Sequence, residues 1–83
     1  MKKKLVEITW VDADGESGWS HYNPSTKMPV VKTFGLLVNH NWKKMDHLAH
    51  ADSYCNDSGD WSGLGRIPTN MIKSVRLIKW VET

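Results

Sequence analysis

Hydrophobic residues in this chain recur mostly at every second position, the period of a half-buried β-strand. In residues 5 to 13 (LVEITWVDA), Val6, Ile8 and Trp10 fall on one face and Leu5, Glu7, Thr9 and Val11 on the other. Asp12-Ala13-Asp14-Gly15 then stops the strand. Residues 30 to 38 (VVKTFGLLV) are β-branched and apolar, which predicts a second strand. Gly35 in its middle marks a bulge, a bend or the close passage of another backbone. Residues 64 to 67 (LGRI) read as a short strand, and the last strand runs to about Val81. Simple alternation puts Ile72, Ser74, Arg76, Ile78 and Trp80 on one side of it, with Val75, Leu77 and Val81 on the other. The link between these two strands is a one-turn corner. Pro68 lacks a backbone N–H and suits a strand end, and Asn70 tolerates the backbone of a sharp turn.

Residues 42 to 54 (WKKMDHLAHADSY) fit two templates. Trp42, Met45, Leu48 and Ala49 make a helical stripe, whereas Met45, His47, Ala49 and Ala51 make a strand face. Helix propensity favours the first. The strand is preferred, because its neighbours are strands and the turn at residues 39 to 41 is short enough for a hairpin. Residues 15 to 29 hold two Gly, two Pro and three Ser without a period, which predicts a long loop of the kind that often carries function. Residues 55 to 63 (CNDSGDWSG) are turn formers throughout. The expectation is an all-β chain: a small five-stranded antiparallel barrel with one long loop between strands 1 and 2. Residues 1–83 form one domain, with residues 1–4 a basic lead-in.

Composition sharpens this reading at three points. A chain of 83 residues builds a marginal core, and with one cysteine, Cys55, it has no intrachain disulfide to reinforce it. Oligomerisation is the remaining support, and the lone thiol fits a reducing compartment. The net charge of +2 is too small to mark a nucleic-acid binder by itself. No run is apolar enough to span a membrane and the first ten residues lack a signal-peptide core, so a cytoplasmic, non-membrane protein is expected.

Candidate chemistry points to binding. Asp12 and Asp14 read as turn residues, and Ser17, Ser20 and Ser25 lie near His21 without a nucleophile turn, so no catalytic residue and no enzyme activity is expected. His40, His47 and His50 lie near Asp46 and Cys55, but on a strand His47 and His50 point opposite ways, and no paired-cysteine spacing exists. Neither a metal nor a cofactor is expected. The aromatics are more informative, with five tryptophans spread along the chain. Trp10 and Trp80 lie in strands and read as core. Trp19, Trp42 and Trp61 lie in or beside loops, either folded over the barrel mouths or exposed for stacking on bases or anchoring a partner. The candidate ligand-binding residues are Trp19, His21, Tyr22, Trp42, Trp61, Arg66 and Asn70. Lys32, Lys43, Lys44 and Arg66 are available to phosphates.

The succession of long strand, bent glycine-containing strand, hairpin, short strand, one-turn corner and last strand resembles the SH3-like barrel, in particular its Sm-like (Hfq and LSm) branch. Gly35 and Leu37 match the first motif of that family, in which Asn41 stands where an acidic residue is expected and Met45-Asp46 is a displaced counterpart of a Met-Asn pair. The second motif is similar to Ile-Arg-Gly-Asn-x-Val-x-x-Ile. Residues 67 to 75 (IPTNMIKSV) keep its apolar positions and Asn70 but replace Arg-Gly by Pro68-Thr69, and that arginine helps hold RNA in Sm proteins. From residue 9 to residue 78 the chain also resembles a group of small phage-encoded proteins that share a W-x-D-A start, a T-x-G-x-L-V strand and an I-P-x-x-x-I corner. That resemblance implies a phage origin, action in the cytoplasm of an infected bacterial host, and host-defence evasion.

The resulting expectation is a phage-encoded, homo-oligomeric binding protein. It captures a nucleotide-type ligand, such as a host immune signal, in pockets between subunits. A ring binding single-stranded RNA is the alternative, and a protein-interaction or structural role using the tryptophans is the third.

Overall fold

Pairing of the alternating segments yields an antiparallel sheet. A computed structural model of the chain describes residues 2–12 and 27–83. The strands are β1 (Lys2–Val11), β2 (Val30–Leu37), β3 (His47–Ala51), β4 (Ser53–Tyr54), β5 (Trp61–Ser62), β6 (Gly65–Pro68) and β7 (Ile72–Glu82). Five of them form one sheet in the order β6-β3-β2-β1-β7, and β4 and β5 form a separate two-stranded hairpin. The two ordered exceptions to strand and loop are single 3-10 turns, Trp42–Lys44 and Thr69–Met71. None of the described residues lies in a helix long and apolar enough to cross a membrane. The all-β expectation holds, but the sheet is open. β7 is committed to β1 and β6 to β3, no ladder joins β6 to β7, and so the strands do not close into a barrel.

The core lies on one face. Val6, Ile8, Leu37, Leu48 and Ile67 pack together, with Trp10, Trp42, Ile72 and Val75 against them. Direct cross-strand partners share a face, so the register of β1 identifies that face on β7. Trp10 pairs with Ile72, Ile8 with Val75, Val6 with Leu77 and Lys4 with Trp80. Plain alternation along β7 would not give this set. The register shifts between Leu5 and Val6 and between Thr9 and Trp10 leave Ile78 and Lys73 as extra residues on β7. Each such bulge reverses the sidedness of the residues beyond it. Two bulges therefore bring Ile72, Val75, Leu77 and Trp80 onto the core face and put Ser74, Arg76 and Lys79 on the other.

The basic lead-in is not a lead-in. Lys2, Lys3 and Lys4 belong to β1 and pair with Glu82, Val81 and Trp80. β2 reaches only to the Leu5–Leu36 pair, so this end of β1 and β7 projects as a two-stranded ribbon. Trp80, expected in the core, is half exposed there because no third strand covers it. Trp10 does join the core, and its indole N–H donates to Thr33 Oγ1 at 2.9 Å.

Residues 42 to 54 divide between the two templates. The chain makes the 3-10 turn at Trp42–Lys44, then enters β3. The turn chemistry expected at residues 55 to 63 closes a hairpin rather than a plain loop, with Gly59 at φ 74° where the chain reverses. In that hairpin Tyr54 and Trp61 are directly paired, their ring centroids 4.7 Å apart. The Lys3 ammonium sits 4.4 Å from the Tyr54 ring centre and 5.1 Å from that of Trp61. This cation–π contact ties a hairpin too short to stand alone to the ribbon end of β1.

His50 fills a gap prepared by two glycines. A Cβ on Gly65, its direct partner on β6, would come within 2.6 Å of the imidazole, and one on Gly35 within 3.5 Å of the His50 Cβ. The imidazole Nδ1 is buried and meets no hydrogen-bond partner among the described residues. Burial holds the His50 pKa below its ordinary value, partly opposed by the charge of Asp52. A histidine depressed in the folded state binds fewer protons folded than unfolded. Its contribution is therefore fully present above pH of about 6.5 and is lost as pH falls through the lowered value. Melting temperature should drop on acidification below that point, and His50→Gln should flatten the drop. A profile identical in both proteins would show that His50 does not carry it.

On the opposite face Glu7 takes Lys32 Nζ at 3.2 Å and Arg76 Nη2 at 2.9 Å, which lowers its pKa, the Arg76 hydrogen bond being the main cause. Lys32 is thereby engaged away from the core face.

Candidate functional site

One end of the core face is left open as a cleft. Its floor is Val6 of β1, Leu37 of β2, and Val75 and Leu77 of β7, and its volume is about 430 Å³. Its rim is Lys4 from the ribbon and the run His40-Asn41-Trp42-Lys43-Lys44 from the β2–β3 connection. Three ammonium groups and an indole thus surround an apolar floor, and among the described residues no carboxylate lines it. The Lys43 ammonium lies 5.7 Å from the Trp42 ring centre, and that of Lys4 lies 5.2 Å from the ring centre of Trp80.

Side-chain hydrogen bonds hold the rim in place. Asn39 acts as a surrogate strand residue. Its Nδ2 donates to the His47 carbonyl at 2.9 Å, and its Oδ1 accepts from the Ala49 N–H at 2.7 Å. The other end of the 3-10 turn is held by Thr69, from the corner between β6 and β7. Thr69 Oγ1 donates to the Met45 carbonyl at 2.7 Å with the Trp42 carbonyl 3.2 Å away, and the Thr69 N–H donates to the Asp46 carbonyl at 2.9 Å. Thr69 is thus the residue that fixes the Trp42 turn from the corner.

Of the described candidates, Trp42 lines the cleft, and Trp61, Arg66 and Asn70 lie elsewhere. Trp61 pairs with Tyr54 in the hairpin beneath Lys3, whose side chain leaves β1 on the face opposite Lys4. Arg66 is exposed on β6 opposite Ala49. Asn70 lies at the corner, where with Val11, Met28, Met71, Ile72 and Lys73 it borders a second recess. Trp19, His21 and Tyr22 lie outside the described residues. Among the described residues, no three His, Cys, Asp or Glu come together as a metal site.

Lys4, His40 and Asn41 line the cleft without having been among the candidates, and Trp80 lies beside it. Lys4 shares the parity of Val6 and Ile8, a signal available in the sequence once the strand is extended to residue 2. Trp80 gave no such signal, since its face depends on the bulge at Ile78. Cys55, at the hairpin, is exposed, and hydrogen bonds from the Ser58 side chain and from the Ser58 and Asp57 backbone lower its pKa. Comparison with protein-family models, with curated proteins and with solved structures finds no match to this chain.

Proposed function

We propose that this chain is a non-enzymatic binding protein that captures a nucleotide-type ligand in the cleft between β1, β7 and the Trp42 turn. The observation that carries this is the convergence of Lys4, Lys43 and Lys44 with Trp42 over an apolar floor that no carboxylate of the described residues lines. A nucleotide needs an aromatic or apolar surface for the base and cations for its phosphates, and such a rim supplies both. β7 is at once a wall of the cleft and a free sheet edge, so a second copy adding along it would enclose the ligand between subunits. The succession of β1, β2, β3, β6, a one-turn corner and β7 supports the SH3-like and Sm-like reading of the unit. The phage origin expected from the motifs of residues 9 to 78 makes host immune nucleotides the class to screen first.

The test is calorimetric titration of AMP into the wild-type chain and into a Lys43→Gln/Lys44→Gln double variant. Both lysines are exposed, so the variant should melt as wild type does. Affinity should fall at least tenfold in the variant, with a shallow salt dependence, since only one phosphate group is involved. No binding to wild type, or equal binding to both, would remove the proposal. A single-stranded RNA that binds with a steep salt slope while AMP does not would favour the ring reading instead.

A further inference from the structure

Trp80 is the feature that a mononucleotide site leaves unused. It is 50% exposed, on the same face as Val6, Val75 and Leu77, yet just beyond the cleft. Along β1 its partner Lys4 lies two residues from Val6, the partner of Leu77, a step of roughly 7 Å along the strand. Trp80 thus stands one such step beyond the Leu77 side of the cleft floor. Lys4 belongs to both places: it lines the cleft, and its ammonium lies over the Trp80 ring. Two matching units, each an indole with a lysine, thus stand at the cleft: Trp42–Lys43 on its rim, and Trp80–Lys4, of which Lys4 also lines it.

We infer that the ligand is a dinucleotide, with one base against Trp42 in the cleft, the other against Trp80 on the ribbon, and the joining phosphodiester at Lys4. This deepens the nucleotide reading and rests on it. A base–indole stack is sequence-tolerant, so the site selects for two linked bases more than for which bases they are. Leu77, the cleft residue next before the Ile78 bulge, supplies apolar surface but no polar anchor, which leaves the phosphodiester to Lys4.

The probes are AMP and pApA, which carries the same 5′-phosphate and one further nucleotide, titrated into the full chain and its Trp80→Ala and Lys4→Gln variants. pApA should bind wild type at least about tenfold more tightly than AMP, the lower part of what one added stack contributes. Trp80→Ala should bring pApA close to AMP while leaving AMP itself unchanged. Lys4→Gln should weaken pApA more than AMP. Equal affinities for the two probes in wild type, or a Trp80→Ala variant that weakens both alike, would overturn the inference and leave the mononucleotide site standing. Failure of both probes to bind wild type would remove the nucleotide reading and the inference together. A Trp80→Ala variant with unchanged pApA affinity but altered sedimentation would assign Trp80 to contact between copies, which also overturns the inference.

Discussion

Leu48→Ala should lose about 2–5 kcal/mol of stability, a large fraction of what a domain of this size has, and the variant should be substantially unfolded at moderate temperature. Leu48 is fully buried, in the middle strand of the β2–β3–β6 half of the sheet, with Ile67 as its direct partner and Val6, Ile8 and Leu37 in the same cluster. The short β3 and β6 strands pair with each other over only four residues, so few other contacts hold that half in place. Ile78→Ala provides the contrast. Ile78 is a bulge residue and 39% exposed, and its truncation in the isolated chain should cost much less. Chemical denaturation of the two variants measures the difference. Comparable losses would mean that the five-residue cluster is not the seat of stability.

The second large effect is expected at Gly65. A methyl group there meets the His50 imidazole at 2.6 Å, well inside van der Waals contact, and Gly35 lies beside the same side chain. Gly65→Ala should therefore cost about 1–3 kcal/mol, the usual range for overpacking. The cause can be isolated with a second substitution. His50→Ala removes the ring that the new methyl strikes, so the double variant should be more stable than the sum of the two single losses predicts, by about 0.5–3 kcal/mol. Additive losses would show that Gly65 is required for its backbone and not for the space that the ring occupies.

Where sequence reasoning succeeded, a regular period survived into the structure. Val6, Ile8 and Trp10 on one face of β1 and the β-branched run of β2 were legible because those strands pair without a bulge between them. The failures have physical causes that alternation cannot encode. Lys73 and Ile78 look like ordinary members of a strand, and only the register with β1 identifies them as extra residues. The lysines at 2 to 4 look like a solvated arm, since a strand in a two-stranded ribbon needs no apolar face to be paired. The hairpin of β4 and β5 was hidden because two-residue strands carry no period, although the turn formers between them were plain. Trp42 stood out in the sequence because it lies beside a predicted loop, where an indole needs a reason to be exposed, and it lines the cleft. The rest of the rim was not, because its position depends on Asn39 and on Thr69, which is 27 residues away from Trp42 in the chain.

The joining of β1 to β7 has a consequence for how the protein is made. Glu7 and Arg76, 69 residues apart, are hydrogen-bonded partners, and β1 and β7 are paired from Lys2 with Glu82 to Trp10 with Ile72. Such contacts close late and slowly, because the chain entropy of a long loop must be overcome before they contribute anything. During synthesis β1 emerges first and waits with one apolar edge unpaired, exposed to other nascent chains and to chaperones. Val75 and Leu77, half of the cleft floor, arrive only with β7. A chain in which β7 has not yet paired with β1 has no complete cleft, so the cleft is the last part of the fold to form.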